Sequence, residues 1–117
     1  MATRSGDYCP DAGDLVWVDL NPTLGHEQGG HRPAIVLTPH QYNVRSGLCI
    51  LCPITSRARG YPFEVGIPDG QAISGAILVD QVRSVSWEKR YVKMAGVAPL
   101  KLLDDVRERL AALLQID

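Results

Sequence analysis

A glutamate and an arginine, flanked by imidazoles, open the segment Gly25–Pro39 (GHEQGGHRPAIVLTP). His26, Glu27, His31 and Arg32 sit in a glycine-rich loop that runs straight into an apolar strand begun by Pro33. Cleaving a phosphodiester without a metal needs a base for the attacking hydroxyl, a proton donor for the departing oxygen and a cation for the crowded phosphorus. Glu27 can act as the base, and the planar guanidinium of Arg32 binds phosphate bidentately. As a proton donor Arg32 is awkward, because its pKa lies above about 12. If the attacking group is a ribose 2′-hydroxyl, the product is a 2′,3′-cyclic phosphate and DNA is not a substrate. A plainer reading stands beside this one. Glu27 can be an ordinary loop carboxylate, Arg32 half of a surface ion pair, and His26, His31 and His40 structural or solvent-exposed.

A second group lies further along. Thr55 and Ser56 end the apolar run LCILCPI, just before Arg57 and Arg59. Hydroxyls at a strand end can hold a phosphate oxygen, and they also form turns and caps. From Gln28 to Phe63 the chain carries four arginines, Arg32, Arg45, Arg57 and Arg59, and neither Asp nor Glu. The residues before Gly25 carry Asp7, Asp11, Asp14 and Asp19 against Arg4 alone. A net charge of −1 is therefore less telling than its segregation, since recognition follows the local field. An Arg-only surface implies a polyanionic substrate. Asp80, followed by Gln81, is a second candidate base or a turn former.

The elements that must position these groups are mostly strands. Leu15–Leu20 is a short β-rich run stopped by Asn21-Pro22. After the loop come Pro33–Leu37, a possible helical turn at His40–Asn43, and Leu48–Ile54, which is wholly apolar and so central. Tyr61–Ile67, Ala76–Asp80, Val82–Trp87 and Tyr91–Val97 complete the strands, with Trp17 and Trp87 read as core. From Pro99 the period changes, and Leu100, Leu103, Val106, Leu110, Leu113 and Leu114 mark an amphipathic helix whose charged face is solvated. The fold class is mainly β, a small bent antiparallel barrel with a C-terminal α-helix packed on it.

Length and composition narrow the alternatives. A chain of 117 residues with 45% apolar content fits one domain, 1–117, with one core. Two Trp, four Tyr and one Phe are few for a protein that grips single strands mainly by stacking. Three cysteines without a secretory leader fit reduced thiols and a cytoplasmic location. Cys49 and Cys52 form a CxxC, but residues three apart on a strand point to opposite faces and cannot chelate together. No metal site or cofactor is expected, and no apolar run reaches the roughly 20 residues of a membrane span.

The blocks GDLVWVDLNPTLGHEQGGHRPAIVLTP, PITSRARGYPFEV and DQVRS, in that order, resemble the MazF/PemK family of toxins from bacterial toxin–antitoxin pairs, in its MazF branch. The resemblance runs through nearly the whole chain. It implies an SH3-like, PemK-like barrel, a homodimer, and a metal- and ribosome-independent endoribonuclease. Such an mRNA interferase cuts single-stranded RNA at a short sequence, leaves 2′,3′-cyclic phosphate and 5′-OH ends, and arrests translation and growth. A cognate MazE-like antitoxin with an acidic C-terminal tail would cover the groove. By position, Glu27 matches the family's loop glutamate, Arg32 its arginine before proline, and Thr55 its active hydroxyl. His31, Ser56, Arg57, Arg59, Asp80 and Gln81 are the further residues expected to contact RNA. Asp80 matches the base of the Kid-type branch, but that branch has an arginine two residues earlier where Leu78 stands here. Two other readings remain. A non-enzymatic CcdB-like toxin on the same barrel would poison DNA gyrase, and a plain SH3-like module would only bind a partner.

Overall fold

The computed structural model describes residues 8–22, 25–27 and 29–116. Its elements are β1 (Asp14–Asp19), β2 (His31–Val36), α1 (His40–Ser46), β3 (Leu48–Thr55), β4 (Glu64–Gly66), β5 (Ala76–Leu78), β6 (Arg83–Ser86), β7 (Lys93–Val97) and α2 (Leu100–Leu114), with a 3₁₀ turn at Val79–Gln81. The strands form one bent antiparallel sheet in the order β4-β5-β3-β2-β1-β7, with β6 also paired to β3. The architecture is barrel-like, with α2 packed against it, and no ladder pairs the outer strands to close the ring among the described residues.

Strand β3 is the hinge of this arrangement. One edge pairs with β2, from Val36↔Leu51 to Ala34↔Pro53. Its other edge serves β6 through Leu48–Leu51 and then β5 through Ile54–Thr55. Pro53 falls in the interval between those two ladders, so a residue without an N–H interrupts neither. The change of partner bends the sheet and delivers Thr55 beside the 3₁₀ turn that follows β5.

Alternation along the strands makes two cores. Leu15, Ile35, Cys52, Ile54 and Ile77 pack on one side under Leu102, Leu103 and Val106 of α2. Val16, Val18, Ala34, Val36, Cys49, Leu51 and Val85 pack on the other. Cys49 and Cys52 thus lie on opposite faces, as their spacing predicts, and burial pushes both thiols up to about 12. They pack as small apolar groups.

Three expectations need correction. Trp17 is not core: it is 37% exposed, whereas Trp87 is half-buried against the second cluster. The apolar stripe of α2 is covered only in its middle, and Leu100, Leu113 and Leu114 are exposed. The segment Tyr61–Phe63 is a turn with stacked Tyr61 and Phe63 rings, so that strand shrinks to β4. Asn43, read only as the end of a helical turn, is fully buried. Its side-chain amide donates to Pro10 O at 2.8 Å and Thr38 O at 2.9 Å, and accepts from the Thr38 hydroxyl at 2.7 Å. Its backbone carbonyl takes the Trp87 indole N–H at 2.8 Å. A fully satisfied buried amide ties the N-terminal segment, α1 and the β6–β7 turn together. No helix among the described residues is long and apolar enough to cross a membrane.

Candidate active site

The loop from β1 to β2 is pinned at its base. Leu20 N donates to Gly30 O at 2.9 Å, Gly30 N donates to the Asn21 side-chain carbonyl at 2.9 Å, and the Arg90 guanidinium donates to the carbonyls of Asp19 and Asn21. Of the loop itself, Thr23, Leu24 and Gln28 lie outside the described residues. Arg32 follows, exposed at the start of β2 and paired with Val18. Its Nε–H donates to Gly29 O at 2.7 Å, which orients the guanidinium against its own loop.

Opposite stand Thr55 and the β3–β4 loop. The Thr55 hydroxyl oxygen accepts from Arg57 N–H at 3.1 Å, so Thr55 does form the turn that its type allows. A hydroxyl that accepts still has its own proton to donate, so this turn leaves it competent to hold a phosphate oxygen. The loop is shaped by Glu64, whose carboxylate accepts from Arg59 N–H and Gly60 N–H, each at 2.9 Å. Arg109 of α2 donates to the carbonyls of Pro62 and Glu64 and fixes the far end.

Together these elements enclose an open groove of about 750 Å³. Arg32, Thr55, Ser56, Arg57 and Arg59 line it, as do Asp80 and Gln81. Most of the expected site residues thus converge. Glu27 is exposed on the loop and is not among the residues lining the groove, while its neighbour His26, read from sequence as structural or solvent-exposed, is. His31 also lies outside the groove and stacks on Trp17. Arg45, the fourth arginine of the acid-free stretch, is on α1 among Pro39, Gln41 and Tyr42.

The acid-free stretch does not make an acid-free surface. The fold brings Glu64 and Asp80 into the groove from beyond residue 63. Asp80 lies past the end of β5, in the 3₁₀ turn. Its partly desolvated position raises the carboxyl pKa, a backbone hydrogen bond opposes this, and the Glu64 charge adds to the rise. The folded protein therefore holds this proton to higher pH than the unfolded chain. That difference lowers stability as pH rises from the ordinary carboxylate range through the raised value, and is constant above it. Asp80→Asn is accordingly expected to unfold at a higher temperature than wild type at pH 7, with the difference vanishing near pH 3. An equal difference at both pH values would remove the ionisation argument. Among the described residues no three His, Cys, Asp or Glu side chains are grouped so as to hold a metal ion.

Residues 11–114 match the family described as PemK-like, MazF-like toxin of type II toxin–antitoxin system. The chain is 51% identical over 96 residues to the endoribonuclease toxin MazF of Escherichia coli K12, spanning 81% of this chain and 86% of that protein. MazF of Deinococcus radiodurans superposes with a TM-score of 0.91 at 50% identity, over 94% of this chain and 100% of that one. A crystal structure of MazE–MazF from the same organism gives a TM-score of 0.84 at 45% identity, over 95% of this chain and 100% of the matched one. The family match takes in both walls of the groove, from the β1–β2 loop to the 3₁₀ turn and on through α2, and so the chain belongs to the PemK-like, MazF-like toxins of type II toxin–antitoxin systems.

Proposed function

We propose that this toxin-family protein is a metal-independent, ribosome-independent endoribonuclease that cuts single-stranded RNA in the groove between the β1–β2 loop and the β3–β4 loop. The observation that carries this reading is the convergence of Arg32, at the start of β2, with Thr55, Arg57 and Arg59, at the end of β3 and in the loop after it, on one groove. A base takes the 2′-hydroxyl proton, O2′ attacks phosphorus, and the P–O5′ bond breaks as the departing oxygen gains a proton. The ends are a 2′,3′-cyclic phosphate and a 5′-hydroxyl. Arg32 and the Thr55 hydroxyl hold the non-bridging oxygens as negative charge builds there. Arg57, Arg59 and Ser56 track the neighbouring phosphates, and Gln81 lines the same groove.

Glu27 is the base in this reading, one residue from His26 at the groove. Asp80 is the alternative, favoured by its place inside the groove and its raised pKa, which suits proton abstraction nearer neutrality. Leu78, lining the same groove, stands where the Kid-type branch has its arginine and weakens the Asp80 reading. In a homodimer the arginines of two grooves would combine, and the acidic C-terminal tail of a MazE-like antitoxin would compete with RNA for them.

The test is purified protein with chelator on a mixed-sequence RNA and its all-DNA counterpart. RNA cut to cyclic-phosphate ends with the DNA intact is expected. RNA surviving at high protein concentration would overturn the catalytic reading, and gyrase trapping in its place would identify a CcdB-like poison. In the same assay, Glu27→Gln should lose more activity than Asp80→Asn. The reverse order would move the base to Asp80.

A further inference from the structure

We propose that a depression beside the groove is a nucleobase subsite, in which the Trp17–His31 stack holds one base of the RNA next to the cleaved linkage. The inference rests on the reading of the groove as an RNA site. Trp17 pairs with Pro33 across the β1–β2 ladder, and His31 lies two residues from Pro33 on the same face, so the two rings are diagonal neighbours. They lie parallel, with centroids 5.5 Å apart and planes 6° apart. An indole in the middle of a strand is ordinarily core, but this one is 37% exposed, and His31 is exposed as well.

The depression encloses about 320 Å³. Trp17 and His31 line it together with Ala72 and Ser74, and Ile54 lends apolar surface. Arg32 and Ser56 line both this depression and the groove, so a strand whose phosphate sits on Arg32 passes directly from one to the other. The wall at Ala72–Gly75 is fixed on both sides. A Cβ on Gly96 of β7 would lie 2.8 Å from the Ala72 Cβ, and one on Gly75 would lie 2.1 Å from Thr55 O. Two parallel rings with an open outer face accept a third flat ring at little ordering cost, and the Ser56 and Ser74 hydroxyls can each donate to or accept from a base edge. The scarcity of aromatics is no obstacle, since one base needs one platform. Stacking tolerates any base, so this subsite adds affinity at one position, with any selectivity coming from the serines.

The experiment uses a 2′-O-methyl RNA oligonucleotide carrying the mapped cleavage sequence, which binds but lacks the attacking hydroxyl, and a set with one abasic position each. Trp17→Ala is expected to raise Kd, and KM for the cleavable RNA, about tenfold or more, with kcat changed less than about twofold. The slope of log Kd against log salt should not change, because no phosphate contact is lost. Trp17→Phe and His31→Phe should keep most of the affinity that Trp17→Ala and His31→Ala lose. Wild type should lose affinity strongly at one abasic position flanking the cut, and Trp17→Ala should show no further loss there. Unchanged affinity in the alanine variants, or an equal loss at every abasic position, would overturn the proposal. So would a loss that appears only as the protein changes oligomeric state in sedimentation, since Trp17 would then be a contact between copies. Wild-type protein that neither cuts nor binds RNA would instead remove the reading of the groove itself.

Discussion

Arg32→Ala is expected to lower RNA cleavage by about 10²–10³-fold or more while leaving the protein folded and its oligomeric state unchanged. The side chain is exposed at the mouth of β2, and the hydrogen bond it makes runs from Nε to Gly29 O, so truncation removes no buried contact. What it removes is the charge that the β1–β2 side brings to the groove shared with Thr55. In the proposed reaction negative charge grows on the phosphoryl oxygens as O2′ attacks, and a guanidinium held in place needs no reorganisation to meet it. Lysine should restore binding better than rate, since a point charge cannot reproduce the two parallel N–H bonds of the fork. The salt slope for binding the 2′-O-methyl oligonucleotide should fall by about one contact. Cleavage rates for the alanine and lysine variants, with circular dichroism and sedimentation as controls, check this. Arg32→Ala protein that cuts RNA at the wild-type rate would end the assignment.

Gly75→Ala should impair both stability and chemistry although residue 75 touches no substrate in the proposed scheme. Gly75 has φ +121°, where side chains are disfavoured, and an added Cβ would meet the Thr55 carbonyl at 2.1 Å. Both partners are backbone, so no rotamer change relieves the overlap. The conformational strain alone costs about 1–3 kcal/mol. Relief by moving β3 displaces Thr55, and a shift of about 1 Å at a reacting centre can cost about 10²-fold in rate. Gly66→Ala is the control: Gly66 lies in β4, and a Cβ there would meet nothing within 4 Å. Chemical unfolding curves and kcat on the folded fraction separate the two effects. Gly75→Ala with wild-type kcat would show that Thr55 tolerates movement, and its hydroxyl would lose its place in the mechanism.

Much of this was already legible from residue order. Alternation placed Cys49 and Cys52 on opposite faces, where they joined different cores, because side-chain direction along a strand has a period of two whatever the strand pairs with. The wholly apolar Leu48–Ile54 run had to be central, and β3 pairs with three other strands. The change to a helical period after Pro99 marked α2 to within a residue. Arg32, Thr55, Arg57 and Arg59 were picked out by chemistry and by their place in a long pattern of blocks.

Other features depended on which segments meet, and local periodicity carries no information on that. Trp17 looked like core by alternation, but its face of β1 extends past the cover of the C-terminal helix, so it emerges beside His31. Asn43 looked unremarkable in sequence because its partners, Pro10, Thr38 and Trp87, lie in three different segments. The acid-free run from Gln28 to Phe63 was real as sequence, yet β5 pairing on both β3 and β4 carried Glu64 and Asp80 into the same groove. Residue order was enough to locate most of the strands, the terminal helix and the candidate site residues, because these follow from short-range periodicity and residue chemistry. Tertiary structure alone decided that β3 changes partners at Pro53, and that register brings Arg32, Thr55 and Asp80 to one groove with an exposed aromatic stack at its edge.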